Sequence, residues 1–178
     1  MSPPSPPQEM EIIPSRPLPH GPGGWFDKLT GQDIACLEQG EWVNDSVINY
    51  TLHDICSKDT DTGYMDPLFY TALKGAMSCG NTLEWRNIPS SSLLLVPIIH
   101  KSHWTLLVVN HYQKKFQCYD SLGSYTAENL PDFFKNVISF FHDSLPDTAS
   151  YEIEVVQFRK QDNSYDCGIC HVHSKSLD

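Results

Sequence analysis

After Asn44, apolar residues recur at helical spacing. Val47, Ile48, Thr51, Leu52 and Ile55 fall on one face, and Asn44 or Asp45 stands where a helix cap belongs. Upstream, Leu29 to Gly40 predicts a helical turn or short helix with Thr30 as its cap. Downstream, KDTDTG breaks the pattern, and Phe69 to Met77 predicts a second, weaker helix. The period then changes. Ser92 to His100 is a short apolar run of the kind a buried strand shows, while SHWTLLVVN and KFQCYDS predict two strands joined by the polar turn HYQK. TAENLPDFFKNVISFFHDSLP returns to helical spacing, with Leu130, Phe133, Phe134, Val137, Ile138 and Phe141 as the apolar stripe. Pro131 is expected in its first turn and Pro146 at its end. Tyr151 to Phe158 predicts one more strand, and DCGICHV the start of a final helix. Helices, then strands, then helix, strand and helix make an α+β domain.

Composition narrows the classes. A chain of 178 residues, 40% hydrophobic, fits one globular domain with a real core. The net charge of −10 argues against a nucleic-acid partner, which needs basic surface to displace counterions. No window approaches the roughly 18 consecutive apolar residues of a membrane span, so no membrane is expected. Residues 1–24 hold eight of the thirteen prolines and are read as a disordered tail without a signal core, which leaves residues 25–178 as the folded domain. The six cysteines are expected as free thiols in a reducing compartment, cytoplasmic and/or nuclear.

The chemistry concentrates in QDNSYDCGICH, Gln161 to His171. Its C-x-x-C-H fits a c-type haem attachment, its C-x-x-C a redox pair, and its Cys167 a nucleophile at a helix start, where unpaired N–H groups favour a thiolate. A redox C-x-x-C follows the first strand of a βαβ unit, whereas only eight residues follow Cys170 here. A zinc site needs further ligands at regular spacing, and Cys167, Cys170, His171 and His173 crowd together. Neither a metal nor a cofactor is expected. A cysteine hydrolase instead needs a base, a group that orients the base, and oxyanion donors. His103 begins one strand of the hairpin and Asp120 ends the other. A turn at Tyr112 and Gln113 sets Asp120 opposite Thr105, on the face His103 also uses, where the carboxylate can fix the imidazole tautomer. Gln161, six residues before Cys167, can donate its amide to an oxyanion.

WVNDSVIN (Trp42 to Asn49), VPIIHKSHWTLLVV (Val96 to Val109), CYDSLGSY (Cys118 to Tyr125) and QDNSYDCGI (Gln161 to Ile169) together resemble the ubiquitin-like-protein-specific cysteine proteases, the Ulp or sentrin-specific protease family. The resemblance runs over about residues 26–170. It implies a papain-like α+β fold with a central, mostly antiparallel sheet flanked by helices. It implies Cys167 as nucleophile, His103 as base, Asp120 as its orienter and Gln161 as oxyanion donor. It gives Trp42 and Trp104 the walls of a narrow tunnel over the modifier's Gly-Gly tail, too tight for any Cβ; two core tryptophans are the alternative reading. Asp45 resembles the family acid that meets a modifier arginine, and it is also placed to cap a helix.

The implied reaction is thiol-protease hydrolysis after the terminal Gly-Gly of a SUMO or Nedd-type modifier by a monomer, in precursor processing, deSUMOylation or deneddylation. QDNSYDCG is close to the deneddylating branch, and the SUMO-specific branch carries nearly the same string. The acidic charge favours a modifier with a basic face over acidic SUMO. The sequence ends eleven residues after Cys167, so the terminal helix is expected to be short. Two alternatives follow, a modifier-binding module without turnover and an acyltransferase on the same Cys-His-Asp set.

Overall fold

A computed structural model describes residues 29–36, 41–123 and 125–157. In chain order the elements are α1 (Gly31–Ala35), α2 (Asp45–Ser57), β1 (Thr62–Tyr64), α3 (Phe69–Ser78), β2 (Leu93–His100), β3 (His103–Asn110), β4 (Lys115–Tyr119), α4 (Asp132–Ser144), a 3-10 turn (Pro146–Ser150) and β5 (Glu152–Val155). The five strands form one sheet in sequence order. Its long ladders, β2–β3 and β3–β4, are antiparallel, and the short margins, β1–β2 and β4–β5, are parallel. Most paired residues are thus antiparallel, within a mixed sheet.

Strand alternation divides the core into two layers. Leu94, Val96 and Ile98 of β2, Leu107 and Val109 of β3, and Phe116 and Cys118 of β4 meet α3 and α4 on one face. Leu95, Trp104, Leu106 and Val108 meet α2 on the other. Both faces are covered, which is why β2 and β3 read as continuous apolar runs rather than alternating ones. Pro97 sits in β2 without damage to the ladder. Leu95 turns its carbonyl toward Met65, just past β1, so Pro97, of the same parity, points its missing donor to that side, where β1 has ended.

Several expectations shift at the margins. The KDTDTG breaker runs into β1, a three-residue strand that pattern reading misses because Gly63 sits in its middle. A Cβ there would come within 2.6 Å of the Ser91 hydroxyl and 2.8 Å of Pro89. Pro131 is the N-cap of α4, extended at φ −60°, ψ 148°, and the first turn begins at Asp132. Pro146 ends that helix by opening the 3-10 turn. β5 covers only part of Tyr151 to Phe158. The terminal helix predicted from DCGICHV and the proline-rich residues 1–24 lie outside the described residues.

The β2–β3 hairpin turns on two residues, Lys101 and Ser102, both in the left-handed region at φ 49° and 62°. A turn of this form favours Asn-Gly, because a Cβ is strained at positive φ. Lys101→Asn combined with Ser102→Gly is therefore expected to stabilise the fold by about 1–2 kcal/mol, read as a raised urea midpoint at constant m.

Candidate active site

β3 and β4 pair with Asn110 opposite Lys115 and Leu106 opposite Tyr119, joined by the four residues 111–114. Continuing that register sets Asp120 opposite Thr105 and one diagonal step from His103. The two side chains meet there: His103 Nε2 lies 2.6 Å from Asp120 Oδ1. Both are largely buried, at 17% and 8% side-chain exposure.

Asp120 is held by more than the imidazole. The Leu122 N–H donates to Oδ1 at 2.9 Å and the Tyr125 hydroxyl donates to Oδ2 at 3.0 Å. Burial alone would raise the carboxyl pKa. The hydrogen bonds from His103, Leu122 and Tyr125 outweigh it, and the group titrates below the ordinary aspartate value. An ionised carboxylate only accepts, so the proton of a neutral His103 sits on Nε2. The basic lone pair is then on Nδ1, the ring nitrogen away from Asp120.

Trp104 follows His103 by one residue and therefore points to the opposite face. It is 2% exposed within the α2 layer, and its indole N–H donates to the Val43 carbonyl at 2.8 Å. Trp42, next to that carbonyl, is 46% exposed. The two indoles are thus unequal, one filled into the core and one open to solvent. Asp45 opens α2, but the cap is Asn44, whose side chain accepts from the Val47 N–H at 3.0 Å. Asn44 also donates to Asp33 at 2.9 Å, and Asp33 exchanges capping bonds with Thr30, so α1 is tied to the start of α2. Sequence reading finds the Thr30 cap but not this bridge. It also passes over Tyr125, which stands five residues beyond Asp120 in CYDSLGSY.

Cys167 and Gln161 lie outside the described residues, as do Cys170, His171 and His173. Of the described cysteines, Cys118 is nearest to Asp120 in sequence, and burial pushes its thiol up to about 12, unsuited to nucleophilic work. Among the described residues no cluster of His, Cys, Asp and Glu is arranged to hold a metal. No helix among them is long and apolar enough to cross a membrane. β5 runs parallel to β4, with Val155 beside Cys118 and the Val156 N–H donating to the Cys118 carbonyl at 2.9 Å.

Residues 41–174 match the profile of the Ulp1 protease family, C-terminal catalytic domain. The chain belongs to the Ulp1 protease family. The match takes in Trp42, His103, Asp120 and the Gln161 to His171 stretch, which assigns that stretch to a family of cysteine-type peptidases. Ubiquitin-like-specific protease 1A of Arabidopsis thaliana is 25% identical over 84% of this chain and 35% of its own length. Sentrin-specific protease 2 of Rattus norvegicus is 30% identical over 65% of this chain and 22% of its own. The chain thus spans about a quarter to a third of these Ulp1-family relatives. Among solved structures, SUMO protease Ulp1 with its catalytic cysteine oxidised to a sulfinic acid superposes at a TM-score of 0.67 and 21% identity, covering 83% of this chain and 70% of the other. The Ulp1 protease domain in complex with Smt3, the yeast ortholog of SUMO, gives 0.64 at 20% identity, covering 82% and 69%. These superpositions establish the α+β, papain-like Ulp1 fold.

Proposed function

We propose that this chain is a thiol protease that hydrolyses the bond after the C-terminal Gly-Gly of a SUMO-type modifier. The observation that carries the reading is the 2.6 Å contact between His103 Nε2 and Asp120. It leaves the proton-accepting electrons on Nδ1, as a base for a thiol requires. In the proposed reaction His103 takes the Cys167 proton and the thiolate attacks the glycine carbonyl. The Gln161 amide and a backbone N–H receive the oxyanion, and the amine leaves with the proton from His103. Water then clears the thioester. Trp42 offers its exposed indole to the Gly-Gly tail. Trp104 holds the neighbouring backbone through Val43, and Asp45 meets a basic side chain of the modifier. The relatives named as sentrin-specific and SUMO proteases support a SUMO-type substrate, and QDNSYDCG keeps a Nedd-type modifier as the second reading. The enzyme acts as a monomer in the cytosol and/or nucleus and uses no cofactor.

The test is labelling with SUMO, Nedd-type and ubiquitin probes that end in a thiol-reactive Gly-Gly tail. A covalent adduct with the SUMO probe, absent from Cys167→Ala, is the expected outcome. An adduct with the Nedd-type probe alone moves the substrate. Labelling without hydrolysis of a SUMO fusion identifies the non-turnover module. No adduct with any probe overturns the proposal.

A further inference from the structure

We infer that Tyr125 is a positioning residue for the His103–Asp120 pair, and that Gly123 is what lets it reach the carboxylate. The inference rests on the reading of His103 as the base. Three observations carry it. The Tyr125 hydroxyl donates to Asp120 Oδ2 at 3.0 Å, the oxygen that His103 does not use, so imidazole and phenol grip the carboxylate from its two oxygens. The Tyr125 ring is fixed in its turn. It lies edge-on to Phe134 of α4, centroids 5.9 Å apart at 62°, against the α3–α4 layer of the core. Gly123 leaves the space this geometry needs. A Cβ there would stand 2.5 Å from Tyr125 Cε1, 2.9 Å from Cζ and 3.0 Å from the Asp120 Cβ. Its backbone lies outside the left-handed region, so the constraint at this position is room alone.

The phenol does two things to the pair. It stops the carboxylate rotating about its side-chain bonds, which keeps Oδ1 on Nε2 and the imidazole plane in one orientation. It also draws negative charge toward Oδ2, which tempers how strongly Asp120 favours imidazolium. Burial, the Asp120 charge and the hydrogen bond itself all raise the phenol pKa, so the group remains a donor throughout the working range of a cysteine protease. Among the described residues, Cys118 and His100 also bear on the pair, and the proposed nucleophile Cys167 is a further ionisable group that would face His103. Cys118 bears on Tyr125 from β4, and its thiol stays neutral. His100 on β2 interacts with His103 and is itself pressed toward neutrality, by burial first and then by Lys101 and Lys74.

The experiment follows the titration of His103 by NMR in the full chain, with its resonance assigned by its loss in His103→Gln. Turnover of a modifier fusion is measured alongside. Tyr125→Phe keeps the ring and removes the donor. It is expected to move the His103 titration upward by about half a pH unit, the size of one modest hydrogen bond. It is also expected to lower kcat several-fold with KM unchanged. Gly123→Ala is expected to reproduce both effects by displacing the ring. The double variant is expected to add nothing to either single one, because both break the same contact. A His103 titration unmoved in Tyr125→Phe overturns the inference and makes Tyr125 a packing residue. A wild-type chain that turns over no modifier defeats the proposed function instead, while the titration still decides the role of Tyr125.

Discussion

Asp120→Ala is expected to reduce turnover of a modifier fusion by roughly 100 to 10,000-fold, with modifier binding nearly unchanged. The alanine removes the group that fixes the His103 tautomer and leaves the Leu122 N–H and the Tyr125 hydroxyl without their acceptor. Asp120→Asn is expected to be far milder. Oδ1 must accept from both His103 and the Leu122 N–H, so the amide places its oxygen there and turns its NH₂ toward Tyr125, whose hydroxyl can rotate to accept. The tautomer survives and only the charge is lost. Charge-assisted hydrogen bonds are roughly twice as strong as neutral ones, which puts the loss near 10-fold. Steady-state kinetics of the two variants side by side separate tautomer control from charge. If alanine and asparagine behave alike, the hydrogen-bond account of Asp120 fails. The same carboxylate also links folding to pH. Its folded pKa is depressed, so its stabilising contribution is present above the unfolded value near 4. That contribution is lost as pH falls through the lower folded value, and the acid limb of stability in Asp120→Asn should flatten accordingly.

Phe69→Ala is expected to cost about 3–5 kcal/mol, the usual range for a buried aromatic truncated to a methyl group. Phe69 has no exposed surface, and its ring meets Trp85 at 5.2 Å, Phe140 at 4.9 Å and Phe141 at 6.2 Å. It is where the first turn of α3 meets the last turns of α4, so the cavity has rigid walls on several sides and collapses poorly. Against a typical total of 5–15 kcal/mol this is a large fraction. Urea unfolding should show the lower midpoint directly. A loss below about 1 kcal/mol would mean that α3 and α4 close the gap, which the ring geometry opposes.

The sequence makes the His103–Asp120 pair legible because a hairpin register is arithmetic. Once the polar turn is centred on Tyr112 and Gln113, every partner in the two strands follows, and the observed ladder keeps that sum although its last pair, Asn110 with Lys115, leaves a turn of four residues. The stripes of α2 and α4 are legible for a similar reason, since a fixed period repeats over three turns. Phe140 escapes the α4 stripe because that helix meets both α3 and the sheet, which widens its buried arc beyond the spacing used to find it. β1 escapes because three residues around a glycine carry no period at all. Trp104 is ambiguous in sequence for a physical reason: an indole beside a histidine suits a core and a binding slot equally, and only strand parity places it on the α2 face. Tyr125 is invisible to pattern because its partner is reached through a turn, where spacing does not determine direction. The proposed nucleophile Cys167 and its companion Gln161 are read from sequence and family and lie outside the described residues.

The margin strand β5 buries little: Glu152 and Ile153 are exposed, and among the described residues its four residues end the sheet. Its worth lies in heading. Because it travels alongside β4 rather than against it, the chain departs from the same pole of the sheet at which Asp120 stands. Reversed, it would depart from the opposite pole, roughly 13 Å away over four residues of strand. A strand of only four residues thus acts as a guide rail, setting the pole of the sheet from which the chain leaves at Val156 and Gln157.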